Sequence, residues 1–145
     1  MNAKVIAVAS DHAGFDLKEA LKSELEADGY AVLDLGTHNG DSVDYPDFGI
    51  ALANAIAEGK AGQGLLVCGT GIGISIAANR NPAVRAAVCH DVTTARLARQ
   101  HNDANVLVLG SRIIGASVAS ETLRAFLCTE FEGGRHARRV EKLGL

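Results

Sequence analysis

Five short apolar runs punctuate the chain: Lys4–Ala9, Tyr30–Leu35, Leu65–Cys68, Arg85–Cys89 and Ala104–Leu109. Each is followed by a stretch whose apolar residues recur at helical spacing. Runs of this length suit interior strands. Strands that alternate with helices imply a mostly parallel sheet, and right-handed crossovers then place helices on both of its faces. The chain therefore reads as an α/β protein. Its 145 residues, 48% of them hydrophobic, make one ordinary domain (1–145) with core enough to fold. No linker, low-complexity tract or internal repeat interrupts it, and residues 133–145 form a basic C-terminal tail.

The helices follow from capping signals and periodicity. The first is expected over Phe15–Asp28, with Leu17, Ala20, Leu21 and Leu25 inward and Lys18, Glu19, Lys22 and Glu26 facing out. Gly29 stops it. Asp44-Tyr45-Pro46-Asp47 opens the second, which runs to about Glu58, with Pro46 in the first turn where no N–H is needed. The third covers Ile74–Arg80 and ends at Asn81-Pro82. The fourth covers Val92–Gln100 and the fifth about Gly115–Glu130. A short terminal helix or tail follows Gly133-Gly134.

Several function classes are disfavoured. The net charge is -3, aromatics are 4% of residues, and no long basic stripe exists. Nucleic acid and anionic membrane are poor partners for such a chain. No apolar run reaches transmembrane length, and the start Met1–Lys4 has no signal-peptide pattern. Three cysteines without close pairing suggest reduced thiols and a cytoplasmic location. With neither CxxC nor HExxH spacing, no metal site is expected. A glycine run exists at Gly69, Gly71 and Gly73. Its third glycine comes one residue early for a dinucleotide fingerprint, and it follows the third strand rather than the first. A Walker pattern is also missing, so no nucleotide cofactor is expected.

Ligands of open α/β sheets bind beyond the carboxyl ends of the strands. In this chain those ends carry Asp11-His12, Cys68-Gly69-Thr70, His90-Asp91 and Gly110-Ser111-Arg112. Cys68 meets a glycine loop and a helix start, a combination that presents backbone N–H groups, holds an anion and favours a thiolate. Cys89 reads as core and Cys128 as structural. His101-Asn102-Asp103 stands directly before the fifth strand, as a helix terminus or as part of a site. Arg135 and Arg139 are four apart, so on a helix they share a face on which a phosphate can be clamped, with Arg112 as a third cation.

Together, Ser10-Asp11-His12-Ala13-Gly14, Asp44-Tyr45-Pro46, Cys68-Gly69-Thr70-Gly71-Ile72-Gly73, Arg99-Gln100-His101-Asn102-Asp103, Gly110-Ser111-Arg112 and Glu132-Gly133-Gly134-Arg135 resemble the type B ribose-5-phosphate isomerases. The wider family also acts on galactose 6-phosphate, allose 6-phosphate and tetrulose phosphates. The resemblance implies a Rossmann-like three-layer α/β/α sandwich with a five-stranded parallel sheet that binds no nucleotide. It implies a homodimer, or a dimer of dimers, whose active sites are shared between subunits. The implied reaction interconverts ribose 5-phosphate and ribulose 5-phosphate with no metal or organic cofactor.

On this resemblance Cys68 is the base that forms a cis-enediolate, unopposed by any carboxylate at positions 69–75. His101 opens the sugar ring beside Asn102, and Thr70 assists near the ring oxygen. Asp11 and Tyr45 contact the sugar. His12, Arg112, Arg135 and Arg139 take the phosphate. The loop residues Gly69, Gly71, Ile72, Gly73 and Ser75 face the substrate with their N–H groups. Ser10 departs from members that carry cysteine there. The loop Thr37–Val43 varies with substrate, so the sugar stays open among the family's phosphates. A non-catalytic phosphosugar-binding module stays open too. A cysteine-dependent phosphatase is disfavoured, because positions 69–75 lack the arginine it needs.

Overall fold

All five apolar runs are strands, and all pair in parallel. A computed structural model describes residues 4–144. Residues 1–3 and 145 lie outside it, and with them most of the start read for a signal peptide and the last residue of the tail. The elements alternate as β1 (Val5–Ser10), α1 (Phe15–Ala27), β2 (Ala31–Asp34), α2 (Tyr45–Ala57), β3 (Gln63–Cys68), α3 (Ile72–Ala78), β4 (Ala86–Val88), α4 (Val92–Asn102), β5 (Val106–Gly110), α5 (Ala116–Cys128) and α6 (Arg135–Glu141). The strand order is β2-β1-β3-β5-β4. This is a Rossmann-like three-layer α/β/α sandwich. No helix of the described residues is long and apolar enough to cross a membrane.

Side chains alternate across the sheet. Ile6, Val8, Leu65, Val67, Leu107 and Leu109 point to one face, where they meet Leu21 and Leu25 of α1, Ala95 and Ala98 of α4, and Leu123 and Phe126 of α5. Ala7, Ala9, Leu66, Cys68, Val106 and Val108 point to the other, against Leu52 and Ala53 of α2 and Ile74 and Ala78 of α3. Each large aliphatic side chain buried this way contributes about 1.5–3 kcal/mol relative to exposure. The chain leaves β1 for β2 on one side and then crosses to β3 on the other. The β1/β3 junction is thus a switch point, where a crevice opens beyond the strand ends.

Four local expectations are corrected. Lys18 does not face out. It is fully buried, and its ammonium donates to Asp34 Oδ1 at 2.9 Å and to Thr37 O at 2.6 Å. It sits three and seven residues before Leu21 and Leu25, on the inward stripe of α1. The β3 strand starts earlier, at Gln63, a polar residue buried beside Gly64. The α3 helix lies two residues earlier than expected, from Ile72 to Ala78, and α4 extends to take in His101 and Asn102. Cys128 is exposed on the last turn of α5.

Candidate active site

The loops after β1, β3 and β5 are tied together by hydrogen bonds. Asp11 N–H donates to Val67 O (3.3 Å), Ser111 N–H to Cys68 O (2.8 Å), and Arg112 N–H to Gly69 O (2.9 Å). Ser111 Oγ donates to Ala13 O (2.8 Å). These links frame a cavity of about 480 Å³ at the switch point. Its walls carry Asp11, His12 and Ala13 after β1, Tyr45 at the start of α2, Cys68, Gly69 and Thr70 after β3, Ile72, Gly73 and Ile76 of α3, and Arg112 after β5. Ala13 and Ile76 were not singled out in the sequence, although Ile76 lies one helical turn beyond Ile72.

Cys68 is only 5% exposed. One side packs with the α2/α3 core, and the other opens to the cavity. Gly71 N–H donates to its Sγ at 3.1 Å. Gly71 achieves this at φ 82°, in the left-handed region that glycine enters freely. A donor to sulfur is stronger when the sulfur carries negative charge. At Cys89, just past β4, burial pushes the thiol up, against the opposing bond with Thr94.

The glycine loop uses part of its own donor set. Ile72 N–H donates to Thr70 Oγ1 (3.2 Å). Ser75 N–H donates to Gly71 O (3.2 Å) and Ser75 Oγ to Ile72 O (2.7 Å), so this buried serine is turned into the helix, not the cavity. Gly71 packs against the β5 backbone, where a Cβ would crowd Leu109. Among the described residues, the N–H groups of Gly73 and Ile74 have no acceptor within the chain. Gly73 also lets the Tyr45 ring lie against its backbone, where any side chain would collide with the ring.

The cavity is polar on its β1 and β5 sides. Asp11 is buried and accepts from Gly14 N–H at 3.0 Å, which fixes the carboxylate and the turn into α1 together. Val43 N–H donates to His12 Nδ1 at 3.1 Å. Neutral His12 therefore carries its hydrogen on Nε2. The Arg112 guanidinium lies over Gly69, its Nε 3.4 Å from where a Cβ would be. No carboxylate pairs with Arg112 among the described residues.

Behind this rim stands a buried ion pair. Asp34 accepts from Lys18, from Gly36 N–H (2.9 Å) and from Lys22 (3.1 Å). Burial pushes its carboxyl up, but these donors outweigh that and hold it below the usual range. Thr37 N–H and Gly36 O bracket Ser10 through backbone bonds. The start of the 37–43 loop is thereby fixed to the end of β1, next to Asp11.

His101, Asn102, Arg135 and Arg139 are not at this cavity. Asn102 ends α4 and lines a separate hollow with Arg85 and Ala104. The α4 helix ends where β5 begins, whereas Gly110, which pairs with Cys68, ends β5. Five residues of strand at about 3.3 Å each separate the two ends by roughly 15 Å. At the α4 end, α6 packs beside it, bringing Arg135 and Arg139. The His101 and His136 rings stack at 4.4 Å with a 14° tilt. One chain thus holds two separate constellations, at opposite ends of its sheet.

A family model described as Ribose/Galactose Isomerase matches residues 6–143. The ribose-5-phosphate isomerase B of Escherichia coli is 46% identical over 140 residues, 97% of this chain and 94% of that one. A D-erythrulose-4-phosphate isomerase of Pectobacterium atrosepticum is 45% identical, over 96% of this chain and 92% of its own. The crystal structure of a ribose 5-phosphate isomerase from Thermotoga maritima superposes with a TM-score of 0.96 at 50% identity, covering 99% of each chain. With its fold and its sequence in agreement along nearly the whole length, this chain belongs to the ribose/galactose isomerase family of sugar-phosphate isomerases.

Proposed function

We propose that the protein interconverts ribose 5-phosphate and ribulose 5-phosphate, with Cys68 as the base, in a homodimer whose two sites are each built from both copies. The observation that carries the reading is Cys68 Sγ, held by Gly71 N–H and open to a cavity with a free arginine and a histidine N–H on its walls. The phosphate is taken by His12 and Arg112 together with Arg135 and Arg139 of a second copy. His101 of that second copy, beside its Asn102, takes the anomeric hydroxyl proton and supplies one to the ring oxygen. Asp11 or Thr70 assists, and the ring opens. The separation of His101 from Cys68 within one chain supports a shared site over an internal one.

The Cys68 thiolate then removes the C2 proton. The C–H electrons form the C1–C2 double bond, and the C1 carbonyl pair moves to O1, giving a cis-enediolate. The O2 proton passes to O1 across the cis oxygens. The Cys68 thiol returns its proton to C1, and O2 becomes the ketone. Charge on the enediolate is met by backbone donors, of which Gly73, on the cavity wall, has an N–H group to offer. Each such donor typically lowers the barrier by about 3 kcal/mol.

The sugar itself is the open part of the reading, since relatives of similar identity carry names for a pentose and for a tetrose phosphate. A panel of four-, five- and six-carbon sugar phosphates, compared by kcat/KM, tests it. Ribose 5-phosphate is expected to lead. Preference for erythrulose 4-phosphate, allose 6-phosphate or galactose 6-phosphate would replace the substrate and keep the chemistry. Binding without turnover of any of them would leave a phosphosugar-binding module.

A further inference from the structure

The His101 constellation holds a third member with no part in the chemistry above. Glu132 N–H donates to Gln100 O at 3.1 Å, which fastens residue 132 to the last turn of α4. Its carboxylate lies at the Nε2 edge of both stacked rings, with Oε1 3.4 Å from His136 Nε2 and 3.9 Å from His101 Nε2. One ligand atom from each of the three residues falls within 4.8 Å of the others.

A tetrahedral ion with bonds of about 2.1 Å separates its ligand atoms by roughly 3.4 Å. The Glu132–His136 pair already has that spacing. The His101 ring must approach and tilt out of its stack so that both Nε2 lone pairs converge. His101 is able to do so, because its side chain is 40% exposed at the end of a helix, whereas that of His136 is 11% exposed. Two imidazoles, one carboxylate and an open position suit zinc and its borderline neighbours, not magnesium or calcium. Arg135 and Arg139 on α6 add positive charge nearby, which argues for a reversible ion and against a structural one.

We propose that His101, Glu132 and His136 form a binding site for a divalent transition metal of the zinc class, and that the ion, by occupying Nε2 of His101, inhibits the isomerase. The inhibitory half rests on the ring-opening role given to His101 above. The binding half does not. Sequence spacing concealed the site because His101 reaches Glu132 and His136 only through the packing of α6 on α4.

The test separates the two halves. Zinc chloride is titrated calorimetrically into the Cys68→Ser/Cys128→Ser protein, which lacks the other accessible thiol ligands, with Glu132→Gln and His136→Gln added singly. One zinc per chain is expected, weakened about tenfold or more by either change, since even losing an outer partner of a ligand costs that much. Cobalt(II) in place of zinc should give the visible bands of a four-coordinate ion and lose them in Glu132→Gln. In the otherwise unaltered enzyme, zinc should inhibit, chelator should restore activity, and Glu132→Gln should raise the inhibitory concentration by a similar factor. Absence of binding, or binding indifferent to both substitutions, overturns the site. Binding that follows the substitutions without inhibiting turnover keeps the site and overturns instead the role of His101.

Discussion

Replacing Lys18 by Met tests how the fold holds the site. The ammonium is fully buried and touches Asp34, Thr37 O and, at 3.3 Å, Glu19. Met keeps most of the volume and removes the charge. Asp34, 11% exposed, then keeps only Lys22 and the Gly36 N–H, while Thr37 O loses a donor. Breaking a buried pair from one side costs about 3–5 kcal/mol. At about 2–4 °C per kcal/mol for a chain of this size, Tm should fall by roughly 10 °C.

The loss should depend on pH in a stated direction. The Asp34 carboxyl is held below its ordinary value, so its stabilisation is complete above the unfolded carboxylate range and disappears as pH falls through the depressed folded value. The gap between wild type and Lys18→Met should therefore be widest near neutrality and narrow below about pH 4. Lys18→Met/Asp34→Asn should recover part of the loss, because the amide no longer strands a charge. Thermal unfolding followed by circular dichroism at several pH values reads all three effects. A single-variant loss under about 2 °C, or no recovery in the double variant, would refute the argument.

Cys68→Ala should lower kcat by about 10²–10⁴ while leaving Tm and phosphate binding nearly unchanged, and turnover at the wild-type rate would remove Cys68 as the base. Mixing equal amounts of Cys68→Ala and His101→Asn chains after reversible unfolding should restore about a quarter of wild-type activity if dimers with shared sites form at random, because only mixed dimers own one intact site; no restoration would argue for a site within one chain. Gly73→Ala should displace the Tyr45 ring and raise KM several-fold, with stability changed by no more than about 1 kcal/mol, since the half-exposed ring can swing aside. Asp91 caps α4 and is held below the usual carboxylate range first by the Thr94 N–H and then by its hydroxyl. The capping contribution is present above that range and lost in acid, so Asp91→Ala should lower Tm at pH 7 more than at pH 3.

Much of the fold was legible because apolar runs and glycine or proline stops are local signals. Strand runs such as Val5–Ala9 and Val106–Leu109 are apolar on both faces, as strands between two helical layers must be. Gln63 and Gly64 carry no such signal, since only the packed structure shows that they are buried. At Lys18 charge and phase disagree and phase prevails: its place three and seven residues before Leu21 and Leu25 puts it on the inward stripe. At the site, Asp11, His12, Cys68, Thr70 and Arg112 stand at strand ends, and the rule for parallel sheets gathers them at the cavity. Glycine spacing indicated a nest but not which N–H groups stay free. Short-range acceptors decide that: Thr70 Oγ1 takes the Ile72 N–H, Cys68 Sγ that of Gly71, and Gly71 O that of Ser75. His101 looked uncommitted in the sequence because its neighbours, Glu132 and His136, lie far along the chain.

The sheet ends on its two shortest strands, β2 with four residues and β4 with three, while the longer β1, β3 and β5 are inside. Neither edge offers a long ladder of unpaired backbone groups to a passing chain, and β2 carries the charged Asp34 with Lys22 beside it. Lateral growth of the sheet into a larger one is therefore discouraged from both sides. Any association between copies is left to side chains on helices and loops, where shape and charge choose the partner.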